Sequence, residues 1–275
     1  MSYRRADLLA RCLDSVGLHL PNSRVRVWDN DSEGTLQIRR LSQLYPDADW
    51  TFCPDNIGFA GAVNRLMRRC DSPSVLLLNP DAVLLGDLIA TRQAVADTRV
   101  AAAAPWIEDP PRRPWDSAHR EPTLLRSLVN YAGWEDRMGR RAALSMAYAR
   151  QPVEVDGYLT GACLLIARSA WRAVGEFDER FFLYAEEVDW CRRARAAGYA
   201  LLAVPELGIA HTAAGTVSDA PSASDLSARM LQSSRVRYMT KHSGPRVGRA
   251  FAAASTFLDA AQPSKRRYRR RADAT

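Results

Sequence analysis

Apolar and polar positions along the chain follow two alternating periods. Short, nearly continuous apolar runs occur at 25–30 (VRVWDN), 50–53 (WTFC), 74–79 (SVLLLN), 100–107 (VAAAAPWI), 162–168 (ACLLIAR) and 201–205 (LLAVP). They read as strands, the leucine and alanine runs as strands covered on both faces. Between them, apolar residues return at helical spacing over 5–16, 35–45, 59–70, 87–97 and 185–197. This alternation predicts an α/β fold with a mainly parallel sheet and helices on both faces. The first helix starts almost at Met1, with only Met-Ser-Tyr ahead of it. A doubly wound sheet places a hydrophobic strand there, so we expect either a sheet lacking its first strand or a natural chain that starts further upstream.

Two stretches break the alternation. Residues 105–122 (PWIEDPPRRPWDSAHREP) hold five prolines and predict a long ordered loop or lid. Trp106 and Trp115 lie in it and Trp134 follows. Each is a flat apolar platform with one polar edge, suited either to a sugar ring or to pinning the loop. From about 223 the chain turns helical, and Val247, Phe251, Ala254 and Leu258 form a stripe ahead of the basic run 265–271 (KRRYRRR). That stripe either packs on the body or, with the basic run, docks on an anionic membrane surface.

Composition narrows the classes. The chain has 275 residues, 47% of them hydrophobic and 25% charged, as in a globular enzyme. No apolar run approaches the ~18 residues of a spanning helix, and the first residues lack a signal-peptide core. The expectation is a cytoplasmic protein, peripheral on the membrane if the tail engages it. Five scattered cysteines with no CxxC argue against a zinc site or a disulfide framework. The net charge of +7 is concentrated in the tail. No reader motif for nucleic acid accompanies it, so no nucleic-acid partner is expected.

The candidate chemistry gathers at strand ends. Asp29, Asn30 and Asp31 follow one strand, and Asn79-Pro80-Asp81 ends another. Acids at neighbouring parallel strand ends converge on the edge where open sheets bind ligands. Oxygen donors there suit Mg²⁺ or Mn²⁺ together with a phosphate; read alone, Asp81 is a turn residue before it is a ligand. Gly58 and Gly61 flank a helix start that can accept phosphate, although no GxGxxG or P-loop occurs. Gly157 and Gly161 precede a buried strand and allow close backbone approach. Glu186, Glu187 and Asp189 crowd a helix start behind Phe181, Phe182 and Tyr184. The helix dipole favours acids there, and Asp189 can pair with Arg193, but an acid beside aromatics is also a candidate base. His211 follows the sixth strand and can supply nitrogen to a metal near Asp81.

Taken in order, SYRRADLLARCLDSV, VWDNDS, NIGFAGAVNR, LLLNPDAVL, GYLTGACLLIARSAW, FDERFFLYAEEVDWCRRARAAGY and VPELGIAHTAAGT resemble family 2 glycosyltransferases, most of all the bacterial rhamnosyltransferase-like branch, over about residues 2–245. The resemblance implies a GT-A fold over 1–222, with an acceptor-side region at about 105–156 and a helical extension over 223–275. It implies an inverting transfer from a nucleotide-diphosphate sugar, with dTDP-rhamnose the first guess, to a glycan or lipid-linked acceptor. Tyr3 and Asp29 then stand beside the donor base. Asn56, Gly58, Asn64, Asn79 and Gly161 lie along the donor. Asp81 and His211 approach the metal, and Glu187 takes the base position within Glu186-Glu187, with Asp189 close by. Trp106, Trp115 and Trp134 fall on the acceptor side. Three departures stand out: a metal motif with one carboxylate, Glu at the base position, and no first strand. They leave a catalytically inactive sugar-nucleotide-binding or scaffold protein as the alternative.

Overall fold

The computed structural model describes residues 1–3, 5–30, 35–109, 113–115, 117–131, 149–211 and 221–261. Helix α1 (Ala6–His19) leads into β1 (Arg26–Asp29), and α2 (Thr35–Leu44) into β2 (Asp49–Phe52). The two strands pair in parallel. Leu9 and Leu13 of α1 and Ile38 and Leu41 of α2, each pair one helical turn apart, close with Val27 over a small core. Ser2 pairs in parallel with Asp29, its amide donating to the Trp28 carbonyl at 2.7 Å and its carbonyl accepting from Asn30 at 2.9 Å. Ser2 thus pairs along the edge of β1, and among the described residues β1–β2 stays separate from the larger sheet.

After α3 (Gly58–Arg68) the chain builds the main sheet from β3 (Ser74–Leu78), β4 (Ala82–Leu84), β5 (Val100–Asp109), β6 (Arg113–Trp115), β8 (Val153–Glu154), β10 (Cys163–Ala167) and β11 (Ala200–His211). Its order is β3-β10-β5-β11-β4, with β6 on β5 and β8 on β11. The sheet is mixed: β3, β5 and β11 run one way, whereas β10 and β4 run against them. Helices α4 (Ile89–Val95) and α6 (Arg168–Val174) pack against β5. Ala101–Ala104 are fully buried there, their small side chains letting those helices approach closely.

The proline-rich stretch is not the loop that its composition suggests. β5 runs through Pro105 and Trp106, β6 returns along it, and β7 (Ala118–Arg120) pairs with β9 (Gly157–Leu159). Pro105 has no amide to give a ladder. The register of β11 slips opposite it, between Val204 and Leu207, and Gly208 leaves room for its ring: a Cβ on Gly208 would lie 2.2 Å from Pro105 Cγ.

Helix α5 (Leu124–Tyr131) follows β7, and α7 (Glu186–Ala196) precedes β11; α8 (Pro221–Ser243) and α9 (Pro245–Ala261) close the described chain. Tyr238, Met239 and Phe251 of these last helices share one core with Phe181, Ala185 and Val188, with Val247 packed against it. The α9 stripe therefore faces inward at Val247 and Phe251, which corrects its reading as a membrane-facing surface. The helical extension is continuous with the core of the body. The basic run at 265–271 lies outside the described residues.

Candidate active site

The edge of β1 is organised by an asparagine. Asn30 Nδ2 donates to Asn56 Oδ1 at 2.8 Å and to the Gly58 carbonyl at 3.1 Å, while its Oδ1 accepts from the Ile57 amide at 3.1 Å. Asn56 Oδ1 accepts from the Gly58 amide at 3.0 Å. These bonds fix the turn into α3 beside Asp29, which is fully buried, and Tyr3 follows the Ser2 bridge onto the same edge. Gly58 has φ 77°, and a Cβ there would lie 2.4 Å from the Phe182 carbonyl. That carbonyl accepts from the Phe59 amide at 2.7 Å, so the start of α3 and the segment leading to α7 touch through bare backbone.

Asp81 and His211 do meet. The short β4 after Asp81 pairs antiparallel with the end of β11, His211 opposite Ala82, and His211 Nε2 lies 3.2 Å from Asp81 Oδ1. The Asp81 side chain is 0% exposed. Asn79 holds this turn through its backbone, its amide donating to the Ala162 carbonyl and its own carbonyl accepting from the Ala82 amide. Among the described residues no group of three His, Cys, Asp or Glu side chains is placed to bind a metal. One carboxylate oxygen and one imidazole nitrogen fit a hard divalent ion whose remaining positions go to phosphate and water.

Glu186 and Glu187 open α7 behind two residues in left-handed backbone, Tyr184 at φ 68° and Ala185 at φ 69°. Glu186 is 5% exposed. Burial, then repulsion from Glu187, pushes its carboxyl well above the ordinary range. Burial raises Glu187 too, against hydrogen bonds from the helix-start amides. One oxygen of each side chain, Oε2, is buried and has no hydrogen-bond partner among the described residues. Gly161 stands beside the pair: a Cβ on it would lie 3.9 Å from Glu187 Cγ. A raised carboxyl beside a glycine is a candidate to receive a proton from an incoming hydroxyl once it is ionised.

Other candidates lie elsewhere or are engaged in other ways. Asn64 is 1% exposed; its Nδ2 donates to the Phe177 carbonyl at 2.9 Å and its Oδ1 accepts from the Phe177 amide at 3.0 Å. Both amide ends are used in tying α3 to the segment before α7. Asp189 is engaged by three basic side chains: its fully buried carboxylate meets Arg193 at 2.9 Å, Lys241 at 2.6 Å and His242 at 2.7 Å. Burial pushes this carboxyl up, but the hydrogen bonds from Lys241, Arg193 and His242 outweigh it and hold it below the ordinary range. Trp106 lies in β5 opposite Leu207, and Trp115 in β6 opposite Ile107; Trp134 is outside the described residues. Sequence reasoning passed over Asn30 as a latch. It also missed Glu121, which accepts from Arg192 and Arg195 of α7 and from the Tyr238 hydroxyl of α8. Nothing around Glu121 in the sequence marks it, because its partners lie 71–117 positions away.

The sheet and its flanking helices have the GT-A glycosyltransferase fold, as their likeness to solved glycosyltransferases shows. The family model described as glycosyltransferase like family 2 matches residues 1–238, and the chain belongs to that family. It is 30% identical over 266 residues to N-acetylglucosaminyl-diphospho-decaprenol L-rhamnosyltransferase of Mycobacterium tuberculosis (strain ATCC 25618 / H37Rv), covering 89% of this chain and 84% of that protein. It is 23% identical to the rhamnosyltransferase WbbL of Escherichia coli (strain K12), covering 78% of this chain and 81% of that one. Among solved structures, the mannosyltransferase PcManGT from Pyrobaculum calidifontis, in complex with GDP-Man and Mn²⁺, superposes with a TM-score of 0.54 at 17% identity, over 96% of this chain and 73% of that chain.

Proposed function

We propose that this protein is an inverting glycosyltransferase that moves a sugar, rhamnose as the first choice, from a nucleotide-diphosphate donor to a lipid-linked glycan acceptor in cell-envelope polysaccharide synthesis. The observation that carries this reading is the acid pair at the start of α7, with one buried oxygen on each side chain that has no partner among the described residues, and with Glu187 beside Gly161. Glu187 takes the acceptor hydroxyl's proton as that oxygen attacks the anomeric carbon from the face opposite the leaving diphosphate, so a single base suffices and configuration inverts. Asp81 and His211 would hold a Mg²⁺ or Mn²⁺ ion, which supplies charge neutralisation at the departing diphosphate. Asp29, Tyr3 and the Asn30–Asn56–Gly58 turn form the nucleoside side. The rhamnosyl donor and the lipid-linked acceptor follow from likeness to the mycobacterial and Escherichia coli relatives.

A thermal-shift titration with thymidine, uridine and guanosine diphosphates, with and without Mn²⁺, tests this reading. A ligand bound only by the folded state raises the melting temperature by mass action. One nucleotide is expected to do so in a metal-dependent way, and Asp81→Asn to remove the metal dependence. A folded chain that answers to none of them is not a transferase. Binding without any turnover of the matching sugar donor would favour the inactive scaffold.

No helix of the described residues is long and apolar enough to cross a membrane, and in this reading a lipid-linked acceptor is met at the membrane surface. We place that contact on the basic run 265–271. Flotation with phosphatidylglycerol vesicles is expected to carry the protein, and pure phosphatidylcholine vesicles are not. Replacing the six basic residues of the run with glutamine should abolish flotation; unchanged flotation refutes this placement.

A further inference from the structure

The helix that carries the acid pair lies alongside the β7–β9 ribbon and touches it near both ends. At its first turn Glu187 stands beside Gly161, just past β9, with its Cγ 3.9 Å from where a Cβ on that glycine would lie. About two turns further on, Arg195 Nη1 donates to Asp156 Oδ1 at 2.7 Å, just ahead of β9. The ribbon itself is closed by pairing of Ala118 with Leu159, His119 with Tyr158 and Arg120 with Gly157. The Thr160 amide adds a bond to the Ser117 carbonyl at 2.8 Å. One strand of the ribbon therefore runs from Asp156 to Gly161 along α7, and the other ends at Arg120.

Glu121 comes next in the chain. Its Oε1 accepts from Arg192 Nη1 and from the Tyr238 hydroxyl of α8, and its Oε2 from Arg195 Nη2. Its backbone carbonyl accepts from Arg126 of α5 at 2.6 Å. An exposed ion pair would contribute little, but this side chain is only 20% exposed and both its oxygens are engaged. Arg192 and Arg195 stand three positions apart and are neighbours on the helix surface. Holding both resists a roll of α7 about its own axis as well as its lifting from the ribbon. The Asp189 bonds act in another direction: they join α7 to Lys241 and His242 of α8.

We propose that Glu121 is a positioning residue for the acid pair: by joining the end of β7 to Arg192 and Arg195, it fixes the lie of α7 against the ribbon and so the place of the Glu187 carboxylate beside Gly161. A side-chain carboxylate stands about 5–6 Å from the helix axis, so a roll of about 10° carries it through about 1 Å. Under the transferase reading, on which the catalytic consequence rests, a displacement of that size in the base costs up to about 10²-fold in rate.

The test is a double-mutant cycle in thermal melts at neutral pH. Glu187→Gln is expected to raise the melting temperature of the wild type, because glutamine removes the cost of a buried charge. Glu121→Asp keeps the charge but draws it back by one methylene. In that background the gain from Glu187→Gln should fall to about half or less, since a loosened helix lets the carboxylate reach water. Glu121→Gln keeps the reach: its amide oxygen still accepts from Arg192 and Tyr238, and Arg195 retains Asp156. Most of the gain should survive there. Equal gains in all three backgrounds overturn the role, as does a wild type that gains nothing from Glu187→Gln. A gain lost in the glutamine background and kept in the aspartate one reads charge and not position, and overturns it too. In turnover of a sugar nucleotide the same contrast should appear in kcat. Glu121→Asp should lose about 10–10²-fold with the donor KM unchanged, and Glu121→Gln should lose little. Wild-type kcat in Glu121→Asp overturns the catalytic consequence. A coupled cycle in a chain that turns over no sugar nucleotide leaves the positioning of Glu187 standing and removes the transferase reading.

Discussion

Glu187→Gln is expected to lower transfer by about 10²–10⁴-fold, the usual contribution of a positioned general base, and at the same time to raise the melting temperature at neutral pH. The second effect follows from the sign of the shift. Burial places the folded-state Glu187 carboxyl above its ordinary value. Between the unfolded and folded pKa the native state holds more protons, so stability falls as pH rises through that window and the full cost is present above it. Glutamine carries no such cost. The gain should vanish below about pH 4.3, where the unfolded carboxyl is also protonated. In the wild type the acidic limb of the kcat/KM profile should lie above the ordinary carboxylate range, because the base acts only when ionised. Scanning calorimetry at neutral and acid pH, beside a donor-turnover assay, reads all of this. A variant that is less stable at neutral pH, or that turns over like wild type, refutes the assignment.

Asp189→Ala should have the opposite balance: a large loss of stability and a small change in the chemistry of whatever remains folded. Its side chain is 0% exposed, whereas Arg193 and Lys241 keep 26% and 24% of theirs in solvent. Removing the carboxylate strands three donors, two of which can partly turn to water. That sets the cost at the lower end for a broken buried ion pair, on the order of 3 kcal/mol, or about 6–12 °C in melting temperature for a chain of this size. The hydrogen-bonding cations hold this carboxyl below its ordinary value. Its contribution is therefore complete above the unfolded carboxylate pKa and is lost as pH falls through the lowered folded one. Thermal melts from neutral to acid pH should show the two proteins converging at the acid end. A variant that melts like wild type but has lost turnover would return Asp189 to the catalytic group.

The strands legible in the sequence are those whose cores are long apolar runs. β3, β5, β10 and β11 carry such runs, and β1 and β2 were found from shorter ones. What the pattern does not carry is direction: a run such as CLLIA reads the same in a parallel or an antiparallel strand, so the reversal of β10 was not visible. Strands of two or three residues, such as β4 and β8, are too short to show any period. Within the candidate site, Asp81 and His211 stood out because each lies at the end of a strand, and Glu186 and Glu187 because they crowd the start of a helix. Asn64 and Asp189 were legible as polar positions but not in their use. That use is decided by the Phe177 backbone for one, and by Lys241 and His242, more than fifty positions further on, for the other. The proline-rich segment misled because Pro105 is accommodated by Gly208, a hundred residues away in the chain.

Glu121 has a consequence for the order in which the protein is made. Its carboxylate waits for Arg192 and Arg195, and then for the Tyr238 hydroxyl. The helix bearing the acid pair must wait in the same way for Lys241 and His242 to reach Asp189. A chain emerging from the ribosome can complete its sheet and gather Asp81, His211 and Glu187 while those anchors are still inside the exit tunnel. Until they emerge, the acid pair sits on a helix fastened at one side only. The last two described helices, which carry none of the candidate acids, thereby set the position of the helix that does.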